Sequence, residues 1–277
     1  MDEQQFLDNY DNEKYEKPSV TADIVIFSVF EDQSENYRKL PEKSLKLLMI
    51  KRGKPPYENR FALPGGFTRR NETVDKAAIR ELKEETGVEC TFLQQLRTFS
   101  KPDRDPRGWV ITCAYMALIN GSDYIIEGGD DAKEALWFDV SFTNIDTELW
   151  KLKLQHDDEI IETDFKCNDI SDVSEFSEWN QVGNSNIAFD HALIIVSAIM
   201  KLRRMIIRGD NYIIFKLLPK YFSLSEVQKV YEIILNKKIY PQVFRRKIKS
   251  YVKETKEYTQ SVGHRPSKLY YYKPANF

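Results

Sequence analysis

Two short apolar runs stand out near the front of the chain, Ala22 to Phe30 and Leu45 to Lys51. Both are rich in aliphatic and β-branched residues and read as strands separated by a polar loop. The segment Lys51 to Arg60 carries a glycine and two prolines and reads as a turn. A Gly65-Gly66 turn leads into a helix over Val74 to Thr86, closed by Gly87. Further strands are expected at Phe92 to Phe99, Gly108 to Leu118 and Ala135 to Phe138, and a hairpin at Trp150 to Cys167. Residues 171–186 are polar. Ala188 to Arg208 then repeats apolar residues at helical spacing: Ala192, Ile195, Ile199, Leu202 and Ile206. The pattern divides the chain into a loose leader at 1–20, an α/β domain at 21–187 with an insertion or lobe at 142–186, a connecting helix at 188–208 and a second domain at 209–277.

Charge sharpens that division. The net charge of −2 hides a split, because Lys201 to Phe277 holds 18 Lys and Arg against 5 Asp and Glu. An acidic front suits divalent metal, and a basic back suits phosphate backbones. Cys90, Cys113 and Cys167 match no metal-ligand or disulfide spacing. The first residues are acidic and polar, unlike a secretory signal, and no apolar run has the length of a membrane span. These features lead to the expectation of a cytoplasmic protein with no membrane partner.

The helix after the glycine turn carries the chemistry. From Gly66 the chain reads GFTRRNETVDKAAIRELKEETGV. Glu81, Glu84 and Glu85 fall within about a third of the helix circumference. Ile79, Leu82 and Thr86 are expected opposite, buried on a sheet. Like charges crowded on one face repel, and a hard divalent cation reverses that cost; oxygen ligands suit Mg²⁺ or Mn²⁺. A solvated glutamate face is the plain alternative. The spacing of Gly66, Glu72, Arg80, Glu81, Leu82, Glu84, Glu85, Gly87 and Val88 resembles the signature of the Nudix family at every constrained position.

The resemblance implies a Nudix α/β/α sandwich with a mixed sheet. It also implies metal-assisted hydrolysis of a nucleoside diphosphate derivative. Gly66, Glu81, Glu84 and Glu85 would hold the metal, and Arg80 would pair with Glu72 to orient the acidic helix. The general base is left open; Glu127, Asp130, Asp131 and Glu134 are further candidates. Pro102 lies 15 residues past Gly87, and the run Arg104-Asp105-Pro106-Arg107-Gly108 follows. This loop resembles that of ADP-ribose hydrolases. Pro102, Arg104, Asp105 and Arg107 are therefore candidate substrate contacts, with two arginines able to fork onto phosphate. A polar turn, or another nucleoside diphosphate sugar or a dinucleotide as substrate, are the alternatives.

The basic end reads as a winged helix-turn-helix. Ser223 and Glu226 form a capping box opening a helix to Leu235. A basic helix from Gln242 to Val252 carries Arg245, Arg246, Lys247 and Lys249. A turn with His264 and Arg265 then leads through Lys268 to a strand at Leu269 to Tyr272. The pieces AFDHALII, LLPKYFSLSEVQKVYE, FRRK and GHRPSKLY are similar to the Nudix-related transcriptional regulators of NAD metabolism. That resemblance implies an ADP-ribose-sensing domain, double-stranded DNA as partner and a homodimer. Many such regulators have degraded boxes and bind ligand without cleaving it; here the box is complete. Two expectations follow: a hydrolase that also binds DNA, or a sensor with little activity.

Overall fold

The computed structural model describes residues 2–11, 13–31, 43–87, 92–121, 132–167, 179–259 and 266–274. Its elements in chain order are α1 (Glu3–Asp8), β1 (Ser19–Glu31), β2 (Lys43–Arg52), β3 (Phe61–Ala62), β4 (Gly65–Phe67), α2 (Val74–Thr86), β5 (Leu93–Phe99), β6 (Val110–Leu118), β7 (Ala132–Asn144), β8 (Leu149–His156), β9 (Glu159–Cys167), β10 (Trp179–Val182) and α3 (His191–Arg208). A 3₁₀ turn (Asn211–Leu217), α4 (Leu224–Leu235), α5 (Pro241–Ile248), β11 (Val252–Tyr258) and β12 (Lys268–Tyr272) complete it.

The large sheet runs β10-β9-β8-β7-β2-β1-β6-β5, with β3 added to β2 and β4 to β1. β1 and β6 are parallel, while β1 and β2 are antiparallel, so the sheet is mixed. β1 is apolar without alternation because both of its faces are covered. Ala22, Ile24 and Ile26 pack with Ala78 and Leu82 of α2. Val25, Phe27 and Val29 share the other core with Ile195, Ile199 and Leu202 of α3. A sheet between two helical layers is the expected sandwich.

Several local expectations need correction. Residues 1–20 include a short exposed helix, α1, capped by the Asp2 side chain. β7 extends far beyond Ala135 to Phe138, because it is paired on both sides, by β2 and β8. The 142–186 segment, where described, is continuous with the main sheet: β8, β9 and β10 add to it strand by strand. Phe142, Trp150, Phe165 and Trp179 pack there into one aromatic cluster. α3 is buried within the core rather than spanning between domains.

α4 opens on the capping box: Ser223 Oγ accepts from the Glu226 N–H at 3.2 Å, and Glu226 Oε2 accepts from the Ser223 N–H at 2.7 Å. α5 ends at Ile248, four residues before the expected Val252, where a 3₁₀ turn feeds β11. β11 and β12 form the wing, and Phe222 ahead of α4 exchanges backbone hydrogen bonds with Tyr270 of β12. Arg203 on α3 joins the two parts. Its guanidinium donates to the carbonyls of Phe142 on β7 and Ile234 on α4, both at 2.8 Å. Burial brings its pKa down to about 10.

Candidate functional site

A cleft of about 880 Å³ opens where α2 passes beneath β4. Thr73 caps α2, its Oγ1 accepting from the Lys76 N–H at 3.3 Å. Ala77, Ala78, Leu82 and Thr86 are buried under the sheet, whereas Ile79, expected in that stripe, is 56% exposed. The buried arc is thus rotated toward the acids. Glu81 and Glu85 stand at its rim, half-buried, and Glu84 stands further out.

The two glycines make this approach possible. A Cβ on Gly66 would lie 2.5 Å from the Glu81 carboxyl carbon. One on Gly65, at φ +154°, would lie 2.8 Å from Asp23 Cα. The Gly65 N–H donates to Glu85 Oε2 at 2.8 Å. Gly66→Ala is therefore expected to push the Glu81 carboxylate out of the cleft. Metal affinity measured by calorimetry should fall at least about tenfold, as when a neighbour that orients a ligand is lost. Unchanged affinity would show that Glu81 needs no such close approach.

Arg80 is the hub of the acidic helix. It donates to Glu72 through Nε at 3.1 Å and Nη2 at 2.7 Å. Its Nη1 is shared between Glu81 Oε1 at 2.6 Å and Glu84 Oε2 at 2.9 Å, and Nη2 reaches the Phe67 carbonyl at 3.2 Å. The Arg80 hydrogen bonds, with the Arg69 N–H, hold the Glu72 carboxyl down from 4.5 to about 2. A depressed carboxyl pKa contributes stability above the unfolded value and loses it as pH falls through the folded one. The Glu72–Arg80 pair therefore persists until pH approaches about 2.

The opposite wall comes from the 104–107 loop. Arg104 and Asp105 are buried and Arg107 is partly exposed. Arg104 donates to Asp190 at 2.7 and 3.0 Å, and lies 3.4 Å from Asp23. Arg107 grips Asp105, its Nη2 at 2.7 Å from Oδ2, and lies over the rings of Phe67 and Phe189 at 5.0 and 5.4 Å. Both arginines thus hold carboxylates in this structure. Pro102 stands in the exposed turn and is not among the residues lining the cleft.

Sequence reading missed four residues here. Asp23 is a buried acid inside an aliphatic strand, a signal that was visible. Asp190 and His191 open α3, and the buried His191 accepts the Leu63 N–H on Nδ1 at 2.9 Å. Burial holds its pKa below the usual value, so the ring is neutral. Phe189 adopts φ +54°, a conformation no sequence pattern reveals. Glu134 is exposed on β7 and does not line the cleft; Val88, Cys90, Glu127, Asp130 and Asp131 lie outside the described residues.

Three carboxylates and the Gly66 carbonyl offer only hard oxygen donors, which suit Mg²⁺ or Mn²⁺. Among the described residues no three such side chains are gathered as ligands where they stand, and Arg80 engages Glu81 and Glu84.

On the second domain, Phe244 and Ile248 bury one side of α5, while Arg245, Arg246 and Lys247 are exposed on the others. Lys249 follows in the exposed 3₁₀ turn rather than on the helix. Lys268 on the wing is ion-paired with Glu254, and Arg265 lies outside the described residues.

Family models agree with this layout. Residues 24–161 match the NUDIX domain and residues 214–272 match the NrtR DNA-binding winged helix domain. An ADPR responsive transcriptional repressor, NtrR of Acinetobacter baylyi, is 31% identical over 97% of this chain and 87% of its own. The chain belongs to the NrtR family. A MutT/nudix family protein from Enterococcus faecalis shares the architecture, with a TM-score of 0.72 and 32% identity over 99% of this NrtR-family chain and 94% of that one. An ADP-ribose pyrophosphatase of Methanocaldococcus jannaschii is 44% identical, over 42% of this chain and 64% of its own. No helix among the described residues is long and apolar enough to cross a membrane.

Proposed function

We propose that this NrtR-family protein is a cytoplasmic Nudix hydrolase that cleaves the diphosphate of ADP-ribose or a close analogue. Its winged helix binds duplex DNA, and it works as a homodimer. The observation that carries the enzymatic reading is the acidic wall of α2, where Glu81, Glu84 and Glu85 meet the Gly65-Gly66 turn. The ADP-ribose pyrophosphatase of M. jannaschii and the ADPR-responsive repressor of A. baylyi support the choice of ligand.

Gly66, Glu81, Glu84 and Glu85 are the proposed holders of Mg²⁺ or Mn²⁺. When bound, the ion neutralises diphosphate oxygens and lowers the pKa of a coordinated water. Glu72 fixes Arg80 from outside the cleft, so the guanidinium keeps Glu81 and Glu84 turned inward. Asp190 and Asp105 hold Arg104 and Arg107 in place on the facing wall, so a substrate phosphate would share each guanidinium with the carboxylate that positions it.

One observation favours a second reading, that of a sensor with little turnover. Arg80 Nη1 occupies oxygens of the same two glutamates that a metal requires. The readings separate in one assay. ADP-ribose incubated with Mg²⁺ should yield AMP and ribose 5-phosphate, read by chromatography. Binding without product selects the sensor. Good cleavage of nucleoside triphosphates with none of ADP-ribose would overturn the substrate assignment.

A further inference from the structure

The register between β2 and β7 ends at the pair Lys46 and Asp139, although β2 begins at Lys43 and β7 runs on to Asn144. Beyond that pair the two strands part. α3 and the last turn of α4 close over the gap and leave a cleft of about 360 Å³. It shares no lining residue with the acidic cleft.

Arg203 lines this cleft from α3, half-buried. Its Nε and Nη2 donate to the carbonyls of Ile234 and Phe142. Nη1 has no protein acceptor among the described residues and is not one of the enclosed polar atoms, so it opens on the cleft. Two carbonyls offset only part of a full charge taken out of water. Burial lowers the pKa of this guanidinium, and among the described residues no carboxylate stands near enough to raise it.

The other charges of the cleft have partners. Lys43 lies 2.8 Å from Glu31 and 3.6 Å from Glu226, and Asp139 lies 2.8 Å from Lys46. Lys153 faces Glu162 across β8 and β9, and shares it with Lys151, which lies 2.6 Å from it. One positive charge, that of Arg203, is left without an acid. Exposed Ser141 and half-buried Gln155 line the same space and offer a hydroxyl and an amide.

We propose that this cleft binds a small hydroxycarboxylate. The carboxylate accepts from Arg203 Nη1, and the hydroxyls bond with Ser141 and Gln155. Lys153, which shares its acid with a second lysine, adds attraction. A single unmatched charge favours a monoanion over a doubly charged phosphate, whose second charge Asp139 would repel. The volume lies at the small end for ligand sites. A molecule here touches β7, α3 and α4 together, where the two domains meet. The site depends neither on turnover nor on sensing in the acidic cleft.

The test is isothermal titration of the full-length protein with glycerate, glycerol and inorganic phosphate. Glycerate should bind at least about tenfold more tightly than glycerol, a scale set by charge-assisted hydrogen bonds. Phosphate should bind more weakly than glycerate. Arg203→Lys keeps the charge but loses the planar fork, and should weaken glycerate at least about tenfold. Lys153→Gln and Ser141→Ala lie outside the core and should each weaken it severalfold; they carry the test if Arg203→Lys fails to fold. Absence of glycerate binding, or equal affinity for glycerol, overturns the proposal. So does tighter binding of phosphate, or glycerate affinity unchanged in Lys153→Gln and Ser141→Ala. A changed oligomeric mass in either of those two variants also overturns it, since the cleft would then be a subunit contact.

Discussion

Glu84→Gln and Glu85→Gln should each lower Mg²⁺-dependent release of AMP from ADP-ribose by at least about a hundredfold. The scale follows from the several kcal/mol that a bound metal contributes to a diphosphate transition state. Glutamine keeps the shape and one carbonyl oxygen but removes the charge that holds the ion. Stability should barely change. The Glu84 side chain is 49% exposed, so its ion pair with Arg80 contributes only about 0–1 kcal/mol. At position 85 the amide oxygen can still accept the Gly65 N–H that Glu85 Oε2 accepts now. Removing one of three neighbouring negative charges also relieves repulsion. Full metal-dependent turnover in both variants, with unchanged thermal midpoints, would remove α2 from the chemistry.

The acidic helix was readable because its spacing encodes a face, and a face survives whatever surrounds it. What encloses it was not. Ile79 looked apolar enough to bury, yet the sheet covers Ala77 and Ala78, since small residues let α2 lie close beneath β1. The orientation of a helix about its own axis depends on its partner's shape, which hydropathy does not carry. Strand ends failed for a related reason. Residues Asp139 to Asn144 join β7 because β8 offers a complete ladder, and that partner lies outside any local window. The 104–107 loop shows the limit for sites. Its arginines were expected on phosphate, but Asp190 lies 86 residues from Arg104 in sequence and holds it in this structure. No pattern within the loop announces so distant a partner.

The same rotation argument turns into a test on α5. Phe244 and Ile248 are its buried residues, and the midpoint between them sets the inward direction. At about 100° per residue, Arg246 points about 180° away from that midpoint. Arg245 and Lys247 flank it at about 80° on either side. A helix entering the major groove presents its outermost side chains to base edges and its flanks to the backbone. Arg246 is therefore the expected base reader and Arg245 the expected phosphate contact. Exposed Val243 lies about 60° from that outward direction and offers apolar contact to thymine methyl groups. Arg246→Ala should cost about 1–3 kcal/mol on the preferred duplex and flatten discrimination among sequences. Arg245→Ala should weaken all duplexes alike and reduce the salt slope by about one. A two-fold dimer should favour a near-palindrome with half-sites one or two helical turns apart. Fluorescence anisotropy over a salt series, with and without ADP-ribose, reads all of these. ADP-ribose should shift the affinity, because Arg203 ties α4 to the β7 strand of the Nudix sheet through two partly buried hydrogen bonds. If Arg245→Ala flattens discrimination and Arg246→Ala does not, α5 sits in the groove in another rotation. If no duplex exceeds random DNA at physiological salt, the winged helix serves some other contact.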